Sequence, residues 1–562
     1  MNAFGIDVSG LDAESFVQTA SALFPVLALG WLLVVHRLRR PGWLLAGVVL
    51  ANAWVWAVTN FPLRQLYALS SGHDRLLQLG LVQVVAAGHT PLHTSQVGHL
   101  HFEPFWGLLV AALGGWSIDC VLALYPFLSL ATAVGFALSL HHGLRPPPGS
   151  PQLSPWARAL AAGFATLLSS APLEHLGTYR VPWALTFLLK PNHALGLVLL
   201  PWLVWSFVRV RSWTHRIATG ALLHLMGWVF VLHMAYVSVS LVVFAVLSVV
   251  ERREEARRDV LDVGAVLAVN LAVVSPYLVM LLVGYPFLVP SANMTIPVWS
   301  PHLLEATLRH CPIFLLGMWG AWTARRRGDR LGRLLFALVA GALLVWAAYP
   351  LLGAVGLARE KDEIYYWVRF VTGAAAGLGA WELGARVAAA LGRPSLDPAA
   401  RAVLIALLVL PSALPSWWDP LRMDAYFPDS LEPISTELAG MGAAISRESR
   451  PSDVCAGDPQ LLRWVAALTG RRGLYLGMHV PADHPSRMDF TDRLLAGDDG
   501  EALLRDAARW NVRLAVVNRA TLERYPGLSI ERLAARDHMK LIFEHRTPRD
   551  YLAVFRLQGG SE

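Results

Sequence analysis

A chain of 562 residues that is 55% hydrophobic and only 15% charged, with a mean hydropathy of +0.46, is too apolar to be water-soluble throughout. Its formal charge of +7 does not indicate nucleic acid, because the arginines sit in short clusters between apolar stretches and no basic patch is interleaved with aromatics. Cys120, Cys311 and Cys455 lie far apart and form neither a disulfide framework nor a thiolate zinc pattern.

The residues up to Glu14 are acidic and lack the basic region and cleavage site of a signal peptide, so the first apolar run is expected to be retained as a helix. Apolar stretches near 18–36, 43–60, 119–141, 157–172, 193–209, 217–233, 236–250, 259–281, 303–323, 332–352, 368–390 and 400–416 predict about twelve spans. The arginine clusters at 37–40, 145–158, 209–216, 252–258, 325–333 and 386–401 all fall on one side of that arrangement, which the positive-inside bias makes cytoplasmic. The loops on the opposite face are richer in other chemistry. Residues 61–117 carry His73, Asp74, His89, His93, His99, His101 and Glu103; residues 172–192 carry Glu174, His175, Arg180 and Lys190; residues 359–369 carry Lys361, three carboxylates including Glu360, and two tyrosines. Within the first loop, 76–87 and 104–113 are too short to span and are expected to be interfacial helices.

The glycine-rich stretch 371–384 reads as a close helix-packing face, since no strand or Walker lysine precedes it. From Asp419 the composition is that of a soluble domain. A helix is expected at 431–448, a strand at 453–456, a helix at 459–468 and a strand at 472–476. A helix at 501–510, a strand at 512–517 and a closing hairpin of 540–544 with 551–556 complete it. The fold class is therefore mainly α: a polytopic membrane bundle over 1–418 with a small C-terminal α/β domain over 419–562, the latter outside the cytoplasm.

Several groups suit chemistry. Asp74 opens a short helix after a Ser-Ser-Gly turn, so its carboxylate serves either as an N-cap or as an exposed general base. His99, His101 and Glu103 alternate on one face of an extended segment and are either ligands of a divalent cation, partners for sugar hydroxyls or a phosphate, or simply hydrogen-bonded. Lysine is rare, and both lysines of the membrane part, Lys190 and Lys361, fall in the non-cytoplasmic loops; with Arg180 and Arg369 they suit a lipid phosphate, or else the headgroup region. His224, His233 and Asn270 lie within spans, where polar groups mark a proton or substrate path or bond a neighbouring helix.

Three motifs resemble the GT-C superfamily of membrane glycosyltransferases, which includes the protein mannosyltransferases and aminoarabinose transferases. The stretch DRLLQLGLVQVVAAGHTP from Asp74, followed by HFEPFWGLL from His101, is similar to the family's acidic first loop with a short helix, a Gly-x-x-Pro turn and a second helix. KPNHALGLVLLP from Lys190 and YYWVRF from Tyr365 resemble its later loop-to-helix entries, and an α/β domain containing ALTGRR from Ala467 is similar to that of many members. The resemblance implies an inner-membrane enzyme using a polyprenyl-phosphate sugar and a cell-envelope acceptor. Asp74 would be the base and Glu103 or Glu174 an auxiliary acid. His73, Arg180, Lys190, His193, Lys361 and Arg369 would surround the donor phosphate. His73 stands where the family often has a second acid, and an additional helix at 18–36 precedes the one leading to the acidic loop. A transporter or lipid flippase working through His224, His233 and Asn270, and a scaffold acting through the α/β domain, are the competing readings.

Overall fold

The computed structural model describes residues 13–60, 74–89, 96–97, 105, 108–109, 112, 118–167, 191–251, 253–284, 301–354, 361–413, 436–476, 484–496, 501–525, 527–547 and 551–558. The chain divides into two compact units. The first comprises Met1–Pro62, Phe127–Val279 and Ala292–Tyr426, and the second Leu63–Pro126, Met280–Ser291 and Phe427–Glu562.

The first unit is helical: α1 (Ala13–Leu38), α2 (Pro41–Asn60), α4 (Ile118–Gly143), α5 (Pro155–Leu167), α6 (Pro191–Val208), α7 (Trp213–Val229), α8 (Val231–Glu251), α9 (Arg253–Gly284), α10 (Pro301–Arg326), α11 (Arg330–Ala354), α12 (Lys361–Ala390) and α13 (Pro398–Ala413). Among the described residues, His233–Glu251 and Arg330–Ala348 are long and apolar enough to cross a membrane. Shorter apolar segments include Leu23–Leu38, Pro41–Trp54, Leu195–Val208 and Pro398–Leu410. Large apolar side chains such as Leu33, Val246, Leu271 and Leu408 face outward, as they do on helices surrounded by lipid rather than water. Of residues 359–369, expected as a loop, 361–369 are helical, because α12 begins at Lys361.

Small residues set the closest helix contacts. A Cβ at Gly320 of α10 would overlap the Ala375 carbonyl oxygen of α12, and one at Gly379 would overlap the Leu316 carbonyl oxygen. A Cβ at Gly377 would come within 2.5 Å of Ala161 Cα on α5. The glycine-rich stretch of α12 is thus a packing face on both sides, as small residues at membrane-helix crossings allow.

The second unit holds α3 (Asp74–Ala86), α14 (Thr436–Glu448), β1 (Val454–Gly457), α15 (Pro459–Thr469), β2 (Arg472–Gly473), α16 (His484–Ala496), α17 (Glu501–Trp510), β3 (Val512–Asn518), α18 (Arg519–Arg524), α19 (Ile530–Ala534), β4 (Met539–Arg546) and β5 (Tyr551–Leu557). Its sheet has the order β2-β1-β3-β5-β4, with β1 parallel to β2 and β3, and β5 antiparallel to β3 and β4. Successive residues of β3 alternate between two cores: Ala515 and Val517 join Phe490, Leu494 and Leu503, while Leu514 and Val516 join Met441, Ile445, Leu461 and Val465. Helices therefore cover both faces, which is why β3 reads as an almost unbroken apolar run. Asp458 caps α15, accepting from the amides of Gln460 and Leu461, and Gly470 ends it at φ +67°.

Candidate functional site

Asp74 is the first residue of α3, where a carboxylate is favoured by the helix dipole. The helix ends in a Schellman motif: Gly88, at φ +90°, donates to the Val85 carbonyl at 3.0 Å and His89 donates to the Val84 carbonyl at 3.1 Å. A side chain at Gly88 would have to adopt the left-handed conformation that glycine tolerates.

Between these ends α3 is anchored in the α/β domain. Leu79, Val82, Gln83 and Val85 are buried, and α3 packs on α15. The closest approach is at Gly470, whose Cβ would overlap the Gln83 carbonyl oxygen and lie 2.8 Å from Ala87 Cβ. The helix expected to lie at the membrane interface therefore places its apolar face on protein.

Further along the first loop, Gln96 forms a parallel bridge with Gly473 beside β2, and the Val97 amide donates to the Gly473 carbonyl at 2.9 Å. The Leu476 amide donates to Gln96 Oε1 at 3.0 Å. Buried Arg487 donates through Nη1 to the carbonyls of Val97 at 2.7 Å and Leu474 at 2.8 Å. His89 Nε2 lies 2.9 Å from the Pro451 carbonyl. Burial lowers the pKa of this imidazole and the positive charges of Arg472 and Arg471 lower it further, against the opposing effect of the Pro451 bond.

The other residues singled out in the sequence are distributed as follows. His193 lies in the first turn of α6, and Lys361 and Arg369 both lie on α12. The axial rise over those eight residues of α12 is about 12 Å. His73, His99, His101, Glu103, Glu174, Arg180 and Lys190 lie outside the described residues. Among the described residues no three His, Cys, Asp or Glu side chains gather as a metal site.

The intraspan histidines are packed against neighbours. His233 is buried with its ring centroid 4.6 Å from that of Phe230 and 5.2 Å from that of Trp367. His224 sits 5.2 Å from Trp228 by the same measure.

The arginine clusters do more than mark topology. Asp262, with no exposed side-chain surface, binds Arg216 Nε at 2.8 Å and Arg330 Nη2 at 2.6 Å. Asp259 accepts from Ser248 Oγ at 2.7 Å and pairs with Arg333 at 3.2 Å, while Arg333 also reaches Glu255 at 2.9 Å. This network ties α7, α8, α9 and α11 together. Its sequence signal is an Asp-x-x-Asp step on one helix and an Arg-x-x-Arg step on another, each placing two charges on one face. The contacts of Gln96, Gly470 and Arg487, by contrast, had no signal in the sequence.

No protein-family model matches the sequence, and no curated protein matches it. Solved structures do. The oligosaccharyltransferase of Archaeoglobus fulgidus, tethered to an acceptor peptide containing the NVT sequon, is similar with a TM-score of 0.51 and 11% identity over 84% of this chain and 69% of that one. ArnT from Cupriavidus metallidurans, bound to undecaprenyl phosphate, is similar with a TM-score of 0.52 and 15% identity over 91% of this chain and 98% of that one. At such identities the likeness is one of architecture, and it extends over most of the chain: this protein has a GT-C-like fold.

Proposed function

We propose that the protein is a membrane glycosyltransferase that moves a sugar from a polyprenyl-phosphate donor to a cell-envelope acceptor at the non-cytoplasmic face of the inner membrane. The observation that carries this reading is the likeness, across 91% of the chain, to a structure holding undecaprenyl phosphate. In it the apolar helices make about twelve spans and the α/β domain lies outside the cytoplasm, in keeping with the one-sided arginine clusters.

The reaction is an inverting displacement. Asp74 takes the proton of the acceptor hydroxyl as its oxygen bonds to the anomeric carbon. The bond from that carbon to the phosphate oxygen breaks, and the electron pair leaves with the lipid phosphate. Lys190, Arg369 and Lys361 stabilise the developing charge, with His73, Arg180 and His193 around the same headgroup. Glu103 or Glu174 orients the acceptor. His99, His101 and Glu103 are proposed ligands of a divalent cation through which no step is routed; transfer that survives both chelation and a His99→Ala, His101→Ala double variant removes that cation from the site.

The deciding experiment is Asp74→Asn in membranes. Transfer to envelope glycans should fall by roughly 10²-fold or more, the usual contribution of a positioned base, with the protein present at normal levels. Wild-type glycans in a stably expressed mutant would remove Asp74 from the base role.

A further inference from the structure

The C-terminal domain holds α3 by contacts that come from residues 83–97 of the first loop and mostly converge on the turn after α15. Gly470 leaves space for the Gln83 carbonyl. Gln96 and Val97 pair beside β2, Arg487 ties Val97 to Leu474, and His89 meets Pro451. Each contact fixes backbone or a buried polar atom, the kind that sets position rather than merely filling space. Asp74 begins this same helix. Between Asp74 and the Gln83 contact lie eight residues of continuous helix, which transmit a displacement at one end to the other.

We propose that the α/β domain positions the catalytic carboxylate: Gly470 and Arg487 are positioning residues that hold α3, and through it Asp74, in the geometry that proton abstraction requires. The domain is therefore a working part of the transfer site and not only a surface for acceptors. This inference rests on Asp74 being the base, and the test separates the two.

Full-length protein is compared as wild type, Asp74→Asn, Gly470→Val, Arg487→Met and Arg487→Lys. Two readouts are taken. Hydrogen exchange by mass spectrometry follows peptides from 74–89 and from β3 and β5, and transfer is assayed in membranes with lipid-linked sugars extracted from the producing cells. Gly470→Val adds a branched side chain where a Cβ already overlaps Gln83, at a φ that disfavours it. Arg487→Met keeps bulk and removes both donors, and Arg487→Lys restores a donor and the charge.

The expected result is that 74–89 exchanges at least about tenfold faster in Gly470→Val and Arg487→Met, while β3 and β5 keep their protection. In these two variants the maximal transfer rate should fall on the order of 10²-fold, with the donor concentration for half-maximal rate unchanged. Arg487→Lys should recover most of both losses.

Loosened α3 with transfer intact, in a background where Asp74→Asn abolishes it, overturns the positioning role and leaves the base assignment standing. Unchanged protection of 74–89 in both variants overturns it as well. Transfer retained by Asp74→Asn refutes the base and with it the inference. Loss of protection in β3 and β5 in both variants would make the clamp a folding requirement, which also overturns it.

Discussion

Asp262 is shielded from solvent and shared by the guanidinium groups of Arg216 and Arg330, with that of Arg258 3.9 Å away. Removing one member of such a cluster leaves buried charge uncompensated, and the cost of that commonly reaches about 3–5 kcal/mol. Asp262→Ala should therefore lower the unfolding temperature of the detergent-solubilised protein far more than a change at exposed Arg505, whose i,i+4 pair with Glu501 lies at the surface. Equal shifts in a thermal unfolding series would show that the network is dispensable. His89 gives a prediction of opposite character. Its folded pKa lies below the usual 6.5, so the folded state binds a proton less readily than the unfolded chain. The docking it supports is complete above pH 6.5 and weakens as pH falls toward the lowered value. Exchange protection of 74–89, corrected for intrinsic rates, should decline between pH 7.5 and 5, and His89→Asn should flatten that decline.

At the scale of elements, α10 and α12 touch backbone to backbone through Gly320 and Gly379. Gly320→Val has nowhere to place its side chain and should destabilise by roughly 1–3 kcal/mol or more. Gly264 in α9 is a useful contrast, because a Cβ there meets nothing within 4 Å. Gly264→Ala should stabilise slightly, by about 0.5–1 kcal/mol, through the lower entropy cost of helical alanine. Denaturation midpoints of the two variants moving in the same direction would contradict this assignment. The elements legible in the sequence were those with a local signature. β3 is an apolar run, α15 has Asp458 before it, Pro459 at its start and Gly470 after it, and β4 and β5 are separated by a short Pro-bearing stretch of sequence. The helix α16 was missed because His484, Pro485, Arg487, Asp489, Asp492 and Arg493 mask its buried Phe490, Leu494 and Leu495. Arg487 in that helix looks like a solvent residue in sequence and is buried because two carbonyls wait for it.

Across the whole molecule, a one-dimensional reading groups residues by proximity along the chain. It placed 61–117 with the membrane part and 419–562 apart, whereas α3 and residues 96–97 pack into the same unit as the C-terminal sheet. Nothing in residues 74–97 indicates partners beyond 450, since an amphipathic helix suits a membrane surface as well as a protein face. Asp74 drew attention because an acid opening a short helix in a loop between spans is unusual, and the helix expected over 76–87 begins at Asp74 itself. What the sequence did not reveal is the machinery that holds it. The proposed transferase and the proposed positioning role meet here: a chain lacking residues 436–562 should lose transfer even with its apolar helices inserted, and robust transfer by such a truncation would count against both the clamp and its role.

The bond from the Leu476 amide to Gln96 joins residues 380 positions apart, and that separation has a meaning in time. At about 5–20 residues per second, synthesis leaves α3 waiting on the order of 20–80 seconds before its partners exist. Through that interval Leu79, Val82 and Val85 have no α15 to cover them. The segment carrying the proposed base is made early and docked late, so the order of translation keeps the proposed site unassembled until the chain has grown past Leu476.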